Sequence, residues 1–200
     1  MKRALAGVLA IAFVGLMAAG ATAQVPFFQV YFDDDSNGSY GSTAANCGPV
    51  NTFQNLYLVA LNWNMFVAAV DYQVVFPASG ALLFSNDTFP TVPGGHIVIG
   101  ATPANNSAEG LAISYGLPRS GFSPMLITTM STIWTGACNC SSGPIPLVVG
   151  PYPGVGKTTP SGVRWPDYVE FQAVGMTSLL CPGPVSTESK TWGAVKALYR

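Results

Sequence analysis

The stretch MFVAAVDYQVVFP, from Met65 to Pro77, decides the fold class of this 200-residue chain. Its alternate positions form two sets, and one set holds only aliphatic and aromatic residues: Phe66, Ala68, Val70, Tyr72, Val74 and Phe76. The other set includes the polar residues Asp71 and Gln73. Because side chains of a β-strand alternate between the two faces of a sheet, this period of two predicts a half-buried strand.

Strand-like segments of the same kind run through most of the chain. They are rich in β-branched and aromatic residues, and turn-forming stretches such as PASG and TVPGG separate them. The further segments are Phe27–Phe32, Phe53–Trp63, Ala81–Ser85, His96–Ala101, Gly110–Gly116, Pro124–Trp134, Ile145–Gly150, Asp167–Gly175 and Thr177–Cys181. We therefore expect an all-β fold, an antiparallel β-sandwich of the jelly-roll or immunoglobulin-like kind, as one domain over residues 24–185.

The first 23 residues have the pattern of a secretory signal peptide. Lys2 and Arg3 form a positive start, an apolar run follows over Ala4–Ala19, and Ala21-Thr22-Ala23 is a small-residue cleavage site. A membrane anchor is the weaker interpretation, because the apolar run is short for a span. We expect a mature chain that starts at Gln24, has no further membrane span, and is secreted or resides in the periplasm or outside the cell.

Few residues carry a charge. Charged residues make up 8% of the chain, and removing Lys2 and Arg3 from the eight basic residues leaves six against nine acidic ones, a net charge of −3. Nucleic-acid binding needs clustered Lys and Arg, so this composition argues against it. The single histidine, His96, is not accompanied by a G-x-S-x-G elbow, and no acid lies in a recognisable catalytic motif. We therefore expect a protein that is not an enzyme.

The four cysteines predict two disulfides. Cys47, Cys138, Cys140 and Cys181 all lie in the mature part, and an even number in an exported chain indicates disulfide pairing. A zinc site is the weaker alternative, because CNC has one intervening residue where zinc motifs use two to four. A Cys138–Cys140 bond would close a very tight ring. We expect one of these two to pair with Cys47 and the other with Cys181, with either connectivity open.

A short acidic stretch, FDDDSNG, begins like a calcium-binding loop. Asp33, Asp35, Asn37 and the glycine after it follow the order D-x-D-x-N-G. The twelfth position of such a loop needs an acid that binds through both oxygens, and here it is Ala44. We interpret the stretch as a polar turn after the first strand and expect no cofactor, with a calcium site as the alternative.

The aromatic stretch VRWPDY is the clearest candidate for ligand binding. Trp165 precedes a proline, which favours an extended backbone, and Arg164 and Tyr168 lie beside it. Exposed rings of this kind stack on sugars, whereas core packing is the common alternative for large rings.

The last fifteen residues differ in composition from the rest. Residues 186–200 gain helix-forming residues, and a short helix would place Trp192, Val195, Leu198 and Tyr199 on one face. Lys196 adds positive charge beside them. This tail is either a locally docked chain end or a basic–aromatic segment that a partner protein recognises.

Two long segments resemble a cohesin module. NLYLVALNWNMFVAAVDYQVVFPASGALLFS (residues 55–85) resembles its opening strands, and GLAISYGLPRSGFSPMLITTMSTIWTG (residues 110–136) is similar to its later part. Cohesins are adhesion modules that bind dockerins, and related sandwiches include carbohydrate binders. The resemblance implies a non-enzymatic structural or adhesive role with a protein partner, or alternatively a polysaccharide ligand, at the cell surface. The four cysteines depart from ordinary cohesins.

Overall fold

The structure is a computed structural model that describes residues 25–33, 40–100, 110–153 and 156–182. These residues form thirteen strands and a short 3-10 helix at Cys140–Ser142. The strands are β1 (Phe27–Phe32), β2 (Ala44–Ala45), β3 (Phe53–Leu61), β4 (Phe66–Val75), β5 (Leu82–Thr88), β6 (His96–Gly100), β7 (Leu111–Ser120), β8 (Met125–Trp134), β9 (Ile145–Gly150), β10 (Ser161–Trp165), β11 (Glu170–Gln172), β12 (Val174–Gly175) and β13 (Thr177–Leu180). The predicted all-β class is confirmed. Neither the predicted signal peptide (1–23) nor the predicted tail helix (186–200) falls in the described residues.

The first sheet has five strands in the order β12–β1–β3–β8–β5. Its long neighbours are antiparallel, and β1 pairs with β3 over its whole length, from Phe27 opposite Leu61 to Phe32 opposite Leu56. The edge strand β12 runs parallel to β1 over two residues. The sheet is thus built on strands whose aromatic and β-branched residues suit a pleated, half-buried surface.

The second sheet is organised around β4. Strand β4 pairs with β7, which in turn pairs with β6. It also pairs with β10 over residues 66–71 and with β9 over residues 73–75, and the order continues from β9 through β13 to β2. These pairings are antiparallel except for β13 with β2, which is parallel over two residues. The run from β12 to β13 leaves the first sheet and enters the second, which closes this side of the sandwich.

The hydrophobic core lies between the two sheets. The first sheet contributes Phe28, Val30 and Phe32 from β1, and the second contributes Val70, Tyr72 and Val74 from β4. Trp63 and Trp134 are also buried in this core. Within the described part of the chain, no helix is long and apolar enough to cross a membrane.

The predicted face of β4 is wrong at the start of the strand. Val70, Tyr72 and Val74 are buried as expected, but Phe66 is exposed and Val67 is buried. The register with β10 shifts at Ala68, where β4 has one residue more than its partner, which is the signature of a β-bulge. The register with β7 shifts at the same place, but there the additional residues lie in β7, between Ser114 and Arg119. One extra residue exchanges the two faces of a strand, so the bulge turns Phe66 outward.

Two strands were not predicted from the sequence. Strand β2 has only two residues, and β10 contains Gly162 and Arg164, which interrupt any apolar alternation. Tertiary pairing with β4 and β11 stabilises β10 as a strand although its own sequence has no strong strand pattern.

Gly162 is expected to be intolerant of any side chain. A Cβ there would lie 2.6 Å from Phe171 Cζ and 2.7 Å from Trp63 Cζ3, two rings that contact each other edge-to-face. We expect Gly162→Ala to lower the free energy of unfolding by about 1–3 kcal/mol through overpacking, measured by denaturant unfolding. Gly136→Ala is the matched control, because a Cβ at Gly136 meets no atom within 4 Å. Equal effects of the two substitutions would contradict this account of the β10 packing.

Candidate functional site

The outer face of strands β10, β4, β7 and β6 is the candidate site. Residues paired across antiparallel strands point to the same side of a sheet, so the register defines which side chains share this face. Three cross-strand rows do so: Ser161–Asp71–Ala112–Ile99, Val163–Ala69–Ser114–Ile97 and Trp165–Phe66–Ser120. Between the rows, Val70 and Ile113 point into the core. We call the surface formed by these rows the outer face.

One end of the outer face is aliphatic and uncharged. Ile97 and Ile99 on β6 are 67% and 60% exposed, although both belong to a residue type that is usually buried. Their neighbours in the same rows are small: Ala112, Ser114 and Ala69. Two large apolar side chains therefore project from a shallow floor, an arrangement that leaves apolar area open to solvent.

The opposite end of the outer face is aromatic. The bulge in β4 turns Phe66 outward, and its pairing partner on β10 is Trp165. Phe66 makes an edge-to-face contact with Phe122, and Trp165 makes one with Tyr168, at ring-centroid distances of 5.5 Å and 5.2 Å. All four rings are exposed. The sequence pointed to Trp165 and Tyr168, but Phe66 and Phe122 were missed because the bulge and the loop packing that bring them together are tertiary features.

An ion pair holds the turn between β10 and β11, where these aromatic residues lie. Arg164 Nε donates to both carboxylate oxygens of Asp167, each at 3.0 Å. Hydrogen bonds from Arg164 lower the pKa of Asp167, and the same contact raises the pKa of Arg164. The structure thus brings the sequence candidates Arg164, Trp165 and Tyr168 into one hairpin, with the arginine engaged by its neighbour.

A charged cluster occupies the β10 end of the first row. Lys157 Nζ lies 2.6 Å from Asp71 Oδ2 and 2.7 Å from Glu170 Oε1. The buried hydroxyl of Ser161 lies between the two carboxylates, 2.6 Å from Asp71 Oδ2 and 2.9 Å from Glu170 Oε1. This cluster joins strands β4, β10 and β11 to the segment before β10.

The charged cluster is not arranged for nucleophilic catalysis. Lys157 Nζ is 2.9 Å from Ser161 Oγ, a distance at which a neutral lysine could take the serine proton. Partial burial alone would lower the pKa of Lys157, but hydrogen bonds to Asp71 and Glu170 outweigh it and raise that pKa. A lysine kept protonated by two carboxylates cannot act as a general base.

The four cysteines lie together at a different place in the fold. Cys47 is bonded to Cys138, and Cys140 is bonded to Cys181, with Cα–Cα distances of 5.8 Å and 5.0 Å. The two bonds attach the loop after β8 to the chain beyond β2 and to the end of β13. Among the described residues, the metal-ligand types that cluster closely are Cys47, Cys140 and Cys181, and their sulfurs are already engaged in these disulfides.

The start of the acidic stretch is part of the folded sandwich. Asp33 is buried, its Oδ2 accepts a hydrogen bond of 3.0 Å from the hydroxyl of Tyr57, and its backbone carbonyl accepts one of 2.9 Å from Gln54 Nε2. The other calcium candidates, Asp35 and Asn37, lie outside the described residues. The same holds for the tail candidates Trp192, Lys196 and Tyr199, which stay a prediction.

Several solved structures that match this fold are cohesins. No protein family model and no curated protein sequence matches the chain. A type II cohesin domain from the cellulosome of Acetivibrio cellulolyticus is 7% identical, and the match covers 78% of this chain and 95% of that chain with a TM-score of 0.51. A chain of the CaDoc0917–CaCohA2 complex is 10% identical, with coverage of 78% and 97% and a TM-score of 0.51. The cohesin module of a family 33 glycoside hydrolase from Clostridium perfringens is 12% identical, with coverage of 78% and 95% and a TM-score of 0.49.

The chain is therefore a cohesin-like β-sandwich, as its sequence resemblance predicted. The first two matches span almost the whole of the structures compared, so the likeness concerns the complete sandwich and not one motif. At such low identity the likeness defines the fold, and function has to be argued from this chain's own surface.

The charged cluster predicts a pH-dependent contribution to stability. Hydrogen bonds from Lys157 and Ser161 lower the pKa of Glu170, so its stabilising effect is present above the unfolded-state value of about 4.3 and is lost as pH falls through the folded-state value. Glu170 is half exposed, so we expect Glu170→Gln to cost at most about 1 kcal/mol at pH 7. The difference in melting temperature from the parent chain should close below about pH 4.

A double-mutant cycle supplies the control. In a Lys157→Gln background, Glu170→Gln should have a smaller effect at pH 7 than in the parent chain, because the first of the two hydrogen bonds that lower the pKa of Glu170 is gone and only the one from Ser161 remains. A stability difference that stays constant from pH 3 to pH 7 would show that Glu170 acts only through packing.

Proposed function

We propose that this chain is an exported, non-enzymatic module that binds a protein partner at the cell envelope or outside the cell, and that the outer face is the contact surface. The observation that carries the proposal is the exposure of Ile97 and Ile99 above the small residues of β7 and β4. Burying a side chain of this size contributes about 1.5–3 kcal/mol, so leaving two of them in water favours a partner that covers them.

The distribution of groups on the outer face supports a protein as the partner. Protein interfaces combine an apolar centre with a polar rim and are enriched in exposed aromatic residues. Here the aliphatic end, the exposed rings and the charged cluster adjoin one another on a single sheet face. Trp165 and Phe66 are residue types that can anchor such a contact in a desolvated pocket of the partner.

The cohesin resemblance supports the same class of partner. The resemblance to cohesins, which bind dockerins, implies a protein partner, and the present chain shares the cohesin-like sandwich. The signal-peptide pattern of residues 1–23 and the two disulfides support export, because disulfides persist in oxidising compartments. The absence of clustered basic residues from the sequence argues against nucleic acid.

Substitution on β6 tests the contact surface. We expect Ile97→Thr combined with Ile99→Thr to weaken the complex with the natural partner more than tenfold, since each residue would lose a large part of its burial on binding. The partner is first isolated by cross-linking to the mature chain, and the Kd is then measured by titration calorimetry. Threonine keeps the β-propensity of the strand, so the melting temperature should change little.

Leu83→Thr is the matched control. Leu83 is exposed on β5 of the first sheet, where it pairs with Ile133 and cannot touch the outer face. An affinity reduced by Leu83→Thr and unchanged by the β6 substitutions would move the contact surface to the other sheet and overturn the assignment.

A polysaccharide ligand is the second candidate, favoured by the exposed Trp165–Tyr168 pair. Tyr168 is 63% exposed and Trp165 39%, and rings presented in this way can stack on sugar faces. Affinity electrophoresis against a set of cell-wall and plant polysaccharides separates the two candidates. Retention that is lost in Trp165→Ala and kept in the double β6 variant would replace the protein-binding proposal with a carbohydrate-binding one; no retention in any gel would remove this candidate.

A further inference from the structure

The two disulfides are in direct contact. Cys47 Sγ lies 3.4 Å from Cys181 Sγ and 3.5 Å from Cys140 Sγ, so one sulfur of the first disulfide touches both sulfurs of the second. The sulfurs of Cys47, Cys140 and Cys181 all lie within 4.8 Å of one another. Disulfide exchange needs an attacking sulfur next to the bond it displaces, and this proximity supplies that condition within one chain.

Backbone pairing brings Cys47 and Cys181 together without help from the sulfurs. Leu179 and Leu180 of β13 pair with Ala44 and Ala45 of β2, and the N–H of Cys181 donates to the carbonyl of Ala45 at 2.7 Å. Cys47 follows two residues after that strand. Cys138 and Cys140 instead belong to the loop after β8, and in this structure both of its cysteines are bonded outward.

We propose that the four cysteines form one thiol–disulfide exchange site. An external thiol that enters at Cys140 converts the pairs Cys47–Cys138 and Cys140–Cys181 into the pairs Cys47–Cys181 and Cys138–Cys140. The ligand class is a small or protein-borne thiol in its thiolate form, which is the reactive species in such exchange.

Three displacement steps complete the exchange. The external thiolate attacks Cys140 Sγ, forms a mixed disulfide there and releases the thiolate of Cys181. That thiolate attacks Cys47 Sγ, forms the Cys47–Cys181 bond and releases the thiolate of Cys138. Cys138 then attacks Cys140 Sγ and releases the external thiolate. Two disulfides are present at the start and at the end, the external thiol is regenerated, and no oxidant or reductant is consumed.

Exposure decides where the external thiol enters. Cys140 is exposed, whereas Cys181 is only 1% exposed. Attack on a disulfide depends on access to the sulfur, so the external thiol attacks the sulfur of Cys140 and not that of Cys181. The leaving Cys181 thiolate is generated inside the cluster, next to Cys47, and is shielded from competing thiols in solution.

The exchange would detach the loop after β8 from the rest of the sandwich. In the present pairing Cys138 and Cys140 tie this loop to two other segments. In the exchanged pairing the same two residues are bonded only to each other, in the tight ring that their spacing disfavours, so this pairing is the minor one at equilibrium. Ala137, Asn139 and Ser142 of the loop line one wall of an apolar cleft of about 460 Å³ whose other wall includes Val75 and Phe76. Release of the loop would therefore open that cleft.

Peptide mapping with glutathione as the thiol tests the proposal. Trypsin cleavage after Arg119 and Lys157 separates Cys47 and Cys181 from the peptide that holds both Cys138 and Cys140. The present pairing links all three peptides together, whereas the exchanged pairing gives a two-peptide species of Cys47 and Cys181. The oxidised full mature chain is incubated with glutathione, free thiols are blocked with N-ethylmaleimide, and the digest is analysed by mass spectrometry without reduction.

We expect the two-peptide species only in samples that received glutathione, together with faster proteolysis of the loop at residues 135–144. A second arm uses Cys138→Ser with Cys140→Ser, in which Cys47 and Cys181 should form a disulfide in oxidised glutathione. Two outcomes would overturn the proposal. One is free thiols at both Cys47 and Cys181 in that variant. The other is a wild-type digest that contains only the three-peptide species, its reduced peptides and glutathione adducts. If the variant fails to fold, the wild-type arm decides alone.

Discussion

Strand β4 hydrogen-bonds to three other strands: to β7 and β10 over its first part and to β9 over its last three residues. Between Phe66 and Asp71, every residue except Ala68 is paired with both β7 and β10, and the alternation of β4 divides the sandwich into an inside and an outside. Val70, Tyr72 and Val74 fill the core against the first sheet, while Asp71 and Ala69 face out between β10 and β7. The register of β4 therefore determines both the core and the outer face, since moving it by one residue would exchange the side chains of the two faces.

The bulge at Ala68 determines which side chain at the start of β4 lies on the outer face. A regular strand would have buried Phe66 with Val70 and exposed Val67. The extra residue reverses that assignment and sets Phe66 beside Trp165 on the outer face. Bulges recur near functional sites because they re-aim side chains without breaking the sheet, and the exposure of Phe66 depends on this one.

Covalent bonds reinforce the part of the fold where hydrogen bonding is sparse. Strand β2 has two residues and pairs with β13 over those two alone, so few backbone hydrogen bonds hold it. The disulfides attach the chain beyond β2 and the end of β13 to the loop after β8. Only 8% of the residues in the chain are charged, so side-chain ion pairs can join few of its segments. The ion pairs of Lys157 join β4, β10 and β11 and do not hold β2.

The sequence by itself determined the local elements. Alternation in segments such as Met65–Pro77 and Phe27–Phe32 was sufficient to locate most strands, because side-chain direction along a strand is a property of neighbouring residues. The number and context of the cysteines likewise indicated two disulfides, but left open which partner each of Cys138 and Cys140 takes. Only the tertiary structure decided that connectivity, the bulge at Ala68, and the meeting of Asp71 with Lys157, which are 86 residues apart in sequence. These features arise from pairing between distant strands, and a period of two in one strand carries no information about which strand lies beside it or in which register.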